Sequence, residues 1–200
     1  TRQRPHTLVS ASAVGYYGEQ GDQPVTEETP PTPGFTHQLC VAWEREAERA
    51  GALGVRVCVM RIGVVLDRDG GALAKMLPAF RLGGGGRLGT GRQYFPWIHR
   101  EDMAAICEWL LDNPKARGAY NASAPAPVTN ADFTSALGRA LARPTVVPVP
   151  AAALKLLFGE MSELLLVSDR MLPTRLLEAG FKFRYPDLAP ALAAILARRA

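Results

Sequence analysis

The sequence predicts an α/β fold, in which the chain forms the C-terminal part of a doubly wound parallel sheet with a small C-terminal lobe. Residues 7–9 are a short apolar run typical of a buried strand, and residues 55–65 (VRVCVMRIGVV) are a longer one. Between them, residues 35–50 place apolar side chains on one side and charged ones on the other, as an amphipathic helix does. A strand, a helix and a second strand that is apolar on both faces indicate a βαβ unit and a parallel sheet.

Small and polar residues follow the first strand directly. The stretch 8–18 (LVSASAVGYYG) places Ser10, Ala11 and Ser12 at the strand end, followed by Tyr16 and Tyr17. Ligands of open α/β sheets bind outside the carboxyl ends of the strands, so a hydroxyl here is well placed for chemistry. The small neighbours would let a flat ligand approach the backbone. The alternative is a strand followed by a Gly-Tyr turn without function.

Two features of the next segment need an interpretation. Residues 19–34 (EQGDQPVTEETPPTPG) are rich in Pro, Gly, Glu and Thr, which predicts a surface loop without a regular element. Arg61 is unusual inside the apolar run 55–65. Either its head reaches the end of the sheet, or it pairs with a carboxylate.

A glycine-rich run follows a predicted helix at 72–80. Gly84, Gly86 and Gly89 satisfy the pattern G-x-G-x-x-G. That pattern identifies a dinucleotide site only after a strand and at the start of a helix. Here it follows a helix, and residues 92–97 are not helical, so we predict a flexible turn.

Residues 94–99 (YFPWIH) are aromatic and end in His99, which is either a ligand contact or a residue satisfied by its own loop. A helix at 103–111 follows, and Asp102 suits its positive end. The remaining pattern predicts a strand at 118–122, a capped helix at 131–142, an edge strand at 145–149, a helix at 151–158, an apolar stretch at 159–170, a short helix opened by Pro173, and a last helix from 186 to about 198. We place a domain boundary between residues 144 and 145, which divides the chain into 1–144 and 145–200.

Composition narrows the function classes. The net charge is +4, but the basic residues are scattered and form no stripe with aromatics, so we expect no nucleic-acid partner. No apolar run approaches the roughly 18–20 residues of a membrane span, so we expect no membrane partner. The cysteines Cys40, Cys58 and Cys107 are odd in number and widely spaced, which favours a reducing cytoplasm over a disulfide framework.

The chain opens almost directly into a strand. A complete doubly wound domain would first offer a strand, a Gly-rich turn and a helix. We therefore expect a fragment of a longer protein. A truncated sheet would expose an edge, so we also expect pairing into a homo-oligomer.

The motifs together resemble a known family. In order they are SASAVGYYG, FTHQLCVAWE, VCVMRIGVVLDRDGGALAKMLPAF, GRQYFPWIHREDM and YNASAPAPVTNADF. They resemble the epimerase-type, extended short-chain dehydrogenase/reductases. More closely, they resemble an atypical subgroup of uncharacterised epimerase family proteins that end in a small domain of unknown function. The resemblance covers nearly the whole chain.

This resemblance implies a Rossmann-type domain that uses NADP or NAD, a small-molecule substrate and no metal. The family's active-site Ser/Thr falls at Ser12, with Ser10 as the alternative. Its Tyr-x-x-x-Lys pair falls at Thr36 and Cys40. Neither residue can do that work, because Thr is too weak an acid and Cys supplies no cation. Tyr16 and Tyr17 are the candidates to substitute.

The resemblance also assigns cofactor and substrate contacts. Gly63 matches the position whose backbone passes the nicotinamide, and the family's phosphate-holding Arg falls at Phe95, three residues after Arg92. His99 and Asp102 match a strand-to-helix junction that we expect to be structural. The candidate cofactor contacts are Ser10, Ala11, Arg61, Gly63 and Val64, and the candidate substrate contacts are Arg92, Trp97 and His99.

Three functional hypotheses remain open at this point. The first is an NADP-preferring oxidoreductase or epimerase that acts on an unidentified small substrate. The second is a non-catalytic dinucleotide-binding protein with a regulatory partner, as in cell division. The third is a remnant of the fold without function.

Overall fold

The computed structural model describes residues 4–146, 148–149 and 167–197, and the prediction of an α/β fold with parallel strands is confirmed. The strands are β1 (Thr7–Ala13), β2 (Gly21–Val25), β3 (Arg56–Ile62), β4 (Val64–Leu66), β5 (Tyr94–Phe95), β6 (Trp97–His99), β7 (Gly118–Ala122), β8 (Val128–Thr129) and β9 (Asp169–Met171). The helices are α1 (Phe35–Glu48), α2 (Gly71–Arg81), α3 (Arg100–Asp112), α4 (Asn130–Ala140), α5 (Thr174–Glu178) and α6 (Leu188–Leu196).

The central sheet contains three parallel strands in the order β1-β3-β7. Ser12 of β1 lies opposite Arg61 of β3, which in turn lies opposite Asn121 of β7. Because side chains alternate along a strand, the two faces of β3 differ. Arg61 faces α1, whereas Cys58 and Met60 pack in an apolar cluster with α3. The sheet is therefore covered by a helix on each face.

The remaining strands form three two-stranded sheets. β4 pairs with β6 in parallel, β5 with β8 antiparallel, and β2 with β9 in parallel. A second apolar core joins α2, α4 and α6 around Leu73, Phe133 and Leu192. None of the described helices combines the length and the apolar character needed to cross a membrane.

The prediction of a loop without a regular element at 19–34 is wrong, because Gly21–Val25 forms β2. Its partner is β9, with Gly21 opposite Asp169 and Val25 opposite Met171. A strand that contains Asp and Pro has weak propensity of its own. This strand forms because it pairs with β9, which lies about 150 residues away along the chain, and a local sequence pattern does not reveal such a partner.

The predicted strand at 55–65 is interrupted at Gly63, and its two parts join different sheets. The backbone N–H of Gly63 donates to the carbonyl of Ala122 at 3.1 Å. A Cβ at this position would lie 2.6 Å from the carbonyl oxygen of Pro96. Only glycine lets the two backbones approach this closely.

Most of the other predicted elements within the described residues are present, but the prediction of an edge strand at 145–149 is wrong, because its described residues contribute only an isolated bridge at Val149. α1, α2, α3, α5 and β7 lie where the patterns place them, with ends that differ by up to three residues. Thr129 caps α4 in a capping box with Asp132. The glycine-rich run follows α2 and leads into β5, and Val149 makes an isolated bridge to Leu88. The predicted helix at 151–158, most of the stretch at 159–170 and the last residue of the final helix lie outside the described residues.

Candidate functional site

A buried ion pair lies beneath the carboxyl ends of the central strands. The Arg61 Nε donates to Glu44 Oε1 at 2.9 Å, and its Nη2 donates to Oε2 at 2.8 Å. Both residues are buried, and Glu44 belongs to α1. Of the two interpretations of Arg61, the structure therefore selects the pairing with a carboxylate.

The hydroxyls predicted to do chemistry join this ion pair. Ser12 Oγ donates to Glu44 Oε1 at 2.7 Å. The Tyr17 hydroxyl donates to Asn121 Oδ1 at 2.6 Å and accepts from Arg61 Nη1 at 3.1 Å. The guanidinium also lies 3.3 Å from the centre of the Tyr16 ring. Ser12, Tyr16 and Tyr17 are thus linked through Glu44 and Arg61, which we call the Arg61 network.

Burial sets the electrostatics of the Arg61 network. Tyr17 is fully buried, which raises the pKa of its phenol to about 12 even though Arg61 acts in the opposite direction. Burial alone would lower the pKa of Arg61, but the hydrogen bonds and charges of Glu44 and Tyr17 together outweigh it, so that pKa is raised. The phenol and the guanidinium both keep their protons at neutral pH.

A separate apolar cleft of about 300 Å³ opens beside this network, at the strand ends. One wall is the end of β1 and the turn that follows it; the second is one side of α1; the third combines β4, α2 and β5. The lining residues are Ala13, Val14, Gly15, Thr36, Leu39, Cys40, Trp43, Val64, Ala72, Met76, Leu88, Gln93, Tyr94, Phe95, Pro96, Asn130, Val167 and Asp169. No arginine or lysine is among these described lining residues.

The cleft contains the two positions at which the resemblance places a Tyr and a Lys. Thr36 and Cys40 lie one turn apart on α1, and both line the apolar cleft. Gly15 packs against Thr36, and burial raises the pKa of the Cys40 thiol. The thiol is therefore protonated at neutral pH, and neither side chain offers a cation or a phenol to a ligand.

Two polar residues, Asn130 and Asp169, also line the apolar cleft. Asn130 is buried, and its Oδ1 accepts from the backbone N–H of Leu88 at 2.8 Å. Asp169, the first residue of β9, is 3% exposed. Among the described residues its Oδ1 has no hydrogen-bond partner. Burial, followed by the nearby Glu19, raises the pKa of Asp169 to about 7.

The predicted cofactor contacts are divided between these two places. Val64 lines the apolar cleft, and Gly63 precedes it at the break between β3 and β4. Arg61 belongs to the buried network. Ser10 is half-buried and Ala11 is exposed, both in the strand at the outer edge of the central sheet.

The predicted substrate contacts do not meet in one place. Arg92 lines an open groove together with Arg87. Trp97 is buried in the core that also holds Leu73 and Phe133. His99 Nδ1 accepts from the backbone N–H of Glu101 at 3.1 Å and so caps α3. This agrees with the interpretation of His99 as a residue that is satisfied by its own loop.

His99 and Asp102 hold the C-terminal segment in place. The His99 ring stacks on Tyr185 with centroids 3.8 Å apart, and burial lowers the pKa of the imidazole. The Asp102 carboxylate accepts from the backbone N–H groups of Arg184 at 2.8 Å and Tyr185 at 2.9 Å. Both residues act structurally here.

Two residues of this region were not singled out by the sequence patterns. Glu44 lies among charged neighbours on the side of the predicted helix that we expect to face solvent, so its local pattern does not indicate burial. Asp169 lies at the end of an apolar stretch, where an acid is common at a turn. An arginine inside a strand was the available signal for Glu44, because a buried charge requires a partner.

Two family models match the chain. Residues 1–123 match the NAD dependent epimerase/dehydratase family. Residues 149–195 match a domain of unknown function (DUF1731). The first match covers more than half of the chain and includes both the Arg61 network and most of the apolar cleft.

Curated relatives are similar over nearly the whole chain. An epimerase family protein of Mycobacterium bovis is 46% identical over 187 residues, which cover 93% of this chain and 62% of the relative. The chloroplastic SDR39U1 homolog of Arabidopsis thaliana, also an epimerase family protein, is 44% identical over 193 residues, which cover 96% of this chain and 55% of the relative. The chain thus spans less than two thirds of the length of these relatives.

Solved structures agree with the sequence matches. Human epimerase family protein SDR39U1, crystallised with NADPH, is 35% identical with a TM-score of 0.88, over 98% of this chain and 66% of that one. A nucleoside-diphosphate sugar epimerase from Corynebacterium glutamicum is 34% identical with a TM-score of 0.77, over 96% of this chain and 37% of that one. The Rossmann-like fold and the resemblance are confirmed, and the chain belongs to the NAD dependent epimerase/dehydratase family.

Proposed function

We propose that the chain forms the nicotinamide and substrate region of an NADP-preferring epimerase or oxidoreductase that acts on a small molecule. The apolar cleft is the observation that supports this proposal, because it lies outside the carboxyl ends of parallel strands, where ligands of such sheets bind. Human SDR39U1, to which the chain is similar, was crystallised with NADPH.

The lining of the apolar cleft fits one end of a dinucleotide. Ala13, Gly15 and Val64 are small and uncharged, and they would flank an uncharged ring. The described lining holds no arginine or lysine, so the cleft fits the nicotinamide and not the pyrophosphate. When bound, the nicotinamide supplies hydride transfer.

The chain's own residues then have two tasks. The apolar walls exclude water from the reacting groups, which strengthens any electrostatic interaction inside. The Arg61 network holds β1, β3 and α1 together and so fixes the position of Ala13 against Thr36. It does not itself line the cleft.

Titration of NADPH and NADH, followed by fluorescence, tests the proposal on the protein at its natural full length. Thr36→Phe places a ring inside the cleft, and we expect NADPH to bind about tenfold more weakly or worse, a loss of at least ~1.4 kcal/mol. Arg45→Phe places the same ring on the exposed side of α1 and serves as the control, with unchanged affinity. Thermal melts confirm that both variants fold. Failure of the folded wild-type protein to bind either nucleotide contradicts the proposal.

A non-catalytic, dinucleotide-binding regulatory protein is the second candidate. Thr36 and Cys40 at the positions of the family's Tyr and Lys favour it, as does the commitment of the Tyr17 hydroxyl to Asn121. The distinguishing test follows bound NADPH in the presence of aldehydes, ketones and sugar nucleotides. Oxidation of NADPH by any of these supports the enzyme, whereas tight binding without turnover supports the regulator.

We further propose a cytoplasmic location and self-association, without nucleic-acid or membrane partners. Cys40, Cys58 and Cys107 are free thiols, which a reducing compartment maintains. Phe35 and Trp43 expose apolar rings on one side of α1, and the exposed fractions of the two residues are 79% and 51%. Size-exclusion chromatography with light scattering tests the association, and a stable monomer contradicts it.

A further inference from the structure

Asp169 is an acid among the residues that line the apolar cleft, and the proposed function gives it no role. Asp169 begins β9, within the segment that matches the domain of unknown function, yet it lines a cleft built mostly by the epimerase-type segment. Its side chain is buried, and among the described residues nothing hydrogen-bonds to its Oδ1. Buried polar atoms without partners are rare, and a catalytic role or a bound ligand is one explanation for them.

The residue before this acid, Ser168, makes three hydrogen bonds to neighbouring segments. Ser168 Oγ donates to the carbonyl of Gly21 at 2.9 Å and accepts from the N–H of Tyr94 at 3.0 Å. The N–H of Ser168 donates to Glu19 Oε2 at 3.1 Å. These bonds hold the backbone at the start of β9 against β2 and β5.

The surroundings favour the neutral form of the acid. Burial raises the pKa of Asp169, and Glu19 adds to the effect. The other charged or titratable groups on adjacent elements are Asp22 of β2, Tyr94 of β5 and Arg170 of β9 itself. The guanidinium of Arg170 lies over the Tyr94 ring, 5.5 Å from its centroid. The described contacts therefore give Asp169 no cationic partner.

We infer that Asp169 is the catalytic acid–base group of the apolar cleft and exchanges its proton with a neutral hydroxyl or carbonyl oxygen of the substrate. In one direction the O–H bond of the carboxyl breaks and an O–H bond forms on the carbonyl oxygen, which leaves a carboxylate. In the other direction the carboxylate takes the hydroxyl proton. The inference rests on the proposed function, because it assigns the proton transfer that Thr36 and Cys40 cannot perform.

The same lining selects the class of substrate. A phosphate or carboxylate inside the cleft would meet Asp169 without an arginine or lysine among the described lining residues to compensate it. The part of the substrate that enters the cleft is therefore uncharged, with an oxygen that can share a proton. Flat or apolar carbon around that oxygen fits the Phe95 and Val64 walls.

The test measures Asp169 directly, on the protein at its natural full length. The chemical shift of its carboxyl carbon is followed by NMR against pH, and Asp169→Asn identifies the signal. We expect a pKa near 7. Benzyl alcohol then serves as a neutral probe and benzoate as its charged counterpart. The two probes are compared at about pH 8, where a carboxyl with this pKa is mostly ionised. There we expect benzyl alcohol to shift the Asp169 signal saturably and benzoate to bind about tenfold more weakly, because like charges repel.

NADPH titration of the same samples separates the two proposals. A titration of Asp169 at the ordinary value for an aspartate, or equal binding of benzoate and benzyl alcohol, overturns the inference whatever NADPH does. If NADPH fails to bind but Asp169 behaves as expected, the proposed function fails and the acid–base assignment is supported.

Discussion

Replacing Asp169 by Asn should remove the contribution of this carboxyl to the pH dependence of the free energy of unfolding. The folded protein holds this carboxyl at a pKa of about 7, raised from the ordinary 3.8 chiefly by burial. Between these two values the unfolded chain releases the proton and the folded protein keeps it. The unfolded state therefore binds fewer protons, so the free energy of unfolding falls as the pH rises through this window.

The magnitude follows from the size of the shift. A rise of about three pK units, at ~1.4 kcal/mol for each unit, corresponds to a loss of ~4 kcal/mol from below about pH 4 to above about pH 7. Asp169→Asn has no proton to lose. Its free energy of unfolding relative to wild type should therefore increase by ~4 kcal/mol across the window. Any constant cost of the buried amide cancels in that comparison.

Urea denaturation at about pH 4 and about pH 8 measures this double difference. Asp22→Asn makes the same chemical change at an exposed position on the strand that pairs with β9, and its double difference should stay below ~0.5 kcal/mol. A double difference below ~1 kcal/mol for Asp169→Asn would show that the carboxyl is solvated or paired, and would refute the reasoning.

Three further predictions concern stability, and urea denaturation at neutral pH checks each. Glu44→Ala leaves a buried guanidinium without its partner and should lower the free energy of unfolding by about 3–5 kcal/mol. Its control, Glu46→Ala on the same helix, removes an exposed pair and should lower the free energy of unfolding by ~0.5 kcal/mol at most. Equal effects of the two substitutions would contradict the burial of the Arg61–Glu44 pair. Gly63→Ala forces a methyl group against the Pro96 carbonyl and should lower the free energy of unfolding by ~1–3 kcal/mol, and a neutral result would mean that β4 can move away. Thr129→Ala removes the N-cap of α4 and should lower it by ~1 kcal/mol, and no loss would show that the cap is dispensable.

Much of the fold was predictable because it follows local patterns. The apolar run that contains β3, the two-sided composition of α1 and the cap at Thr129 each appear within a few residues of sequence. β2 was not predictable in this way. Its strand character depends on β9, and the residues of Gly21–Val25 carry no signal of that partner.

The sequence patterns located the candidate site near β1 but not its contacts. Ser12 lies within β1, which runs to Ala13 and not to residue 9 as the pattern predicts. The hydroxyls of Ser12 and Tyr17 donate to Glu44 and Asn121. Alternation along β1 directs Ser12 toward α1, and the next residue, Ala13, lines the apolar cleft. Asp169 reaches the same cleft only through the pairing of β9 with β2, so no local pattern could connect it to Thr36.

The central claim is that the apolar cleft holds the nicotinamide, and proton–proton contacts in the NADPH complex test it most directly. We expect nuclear Overhauser effects from the nicotinamide ring to the methyl groups of Ala13 and Val64, which both line the cleft. The methyl groups of Val59, which is buried in β3 away from the cleft, should show none. Binding of NADPH without contacts to Ala13 and Val64 would contradict the account.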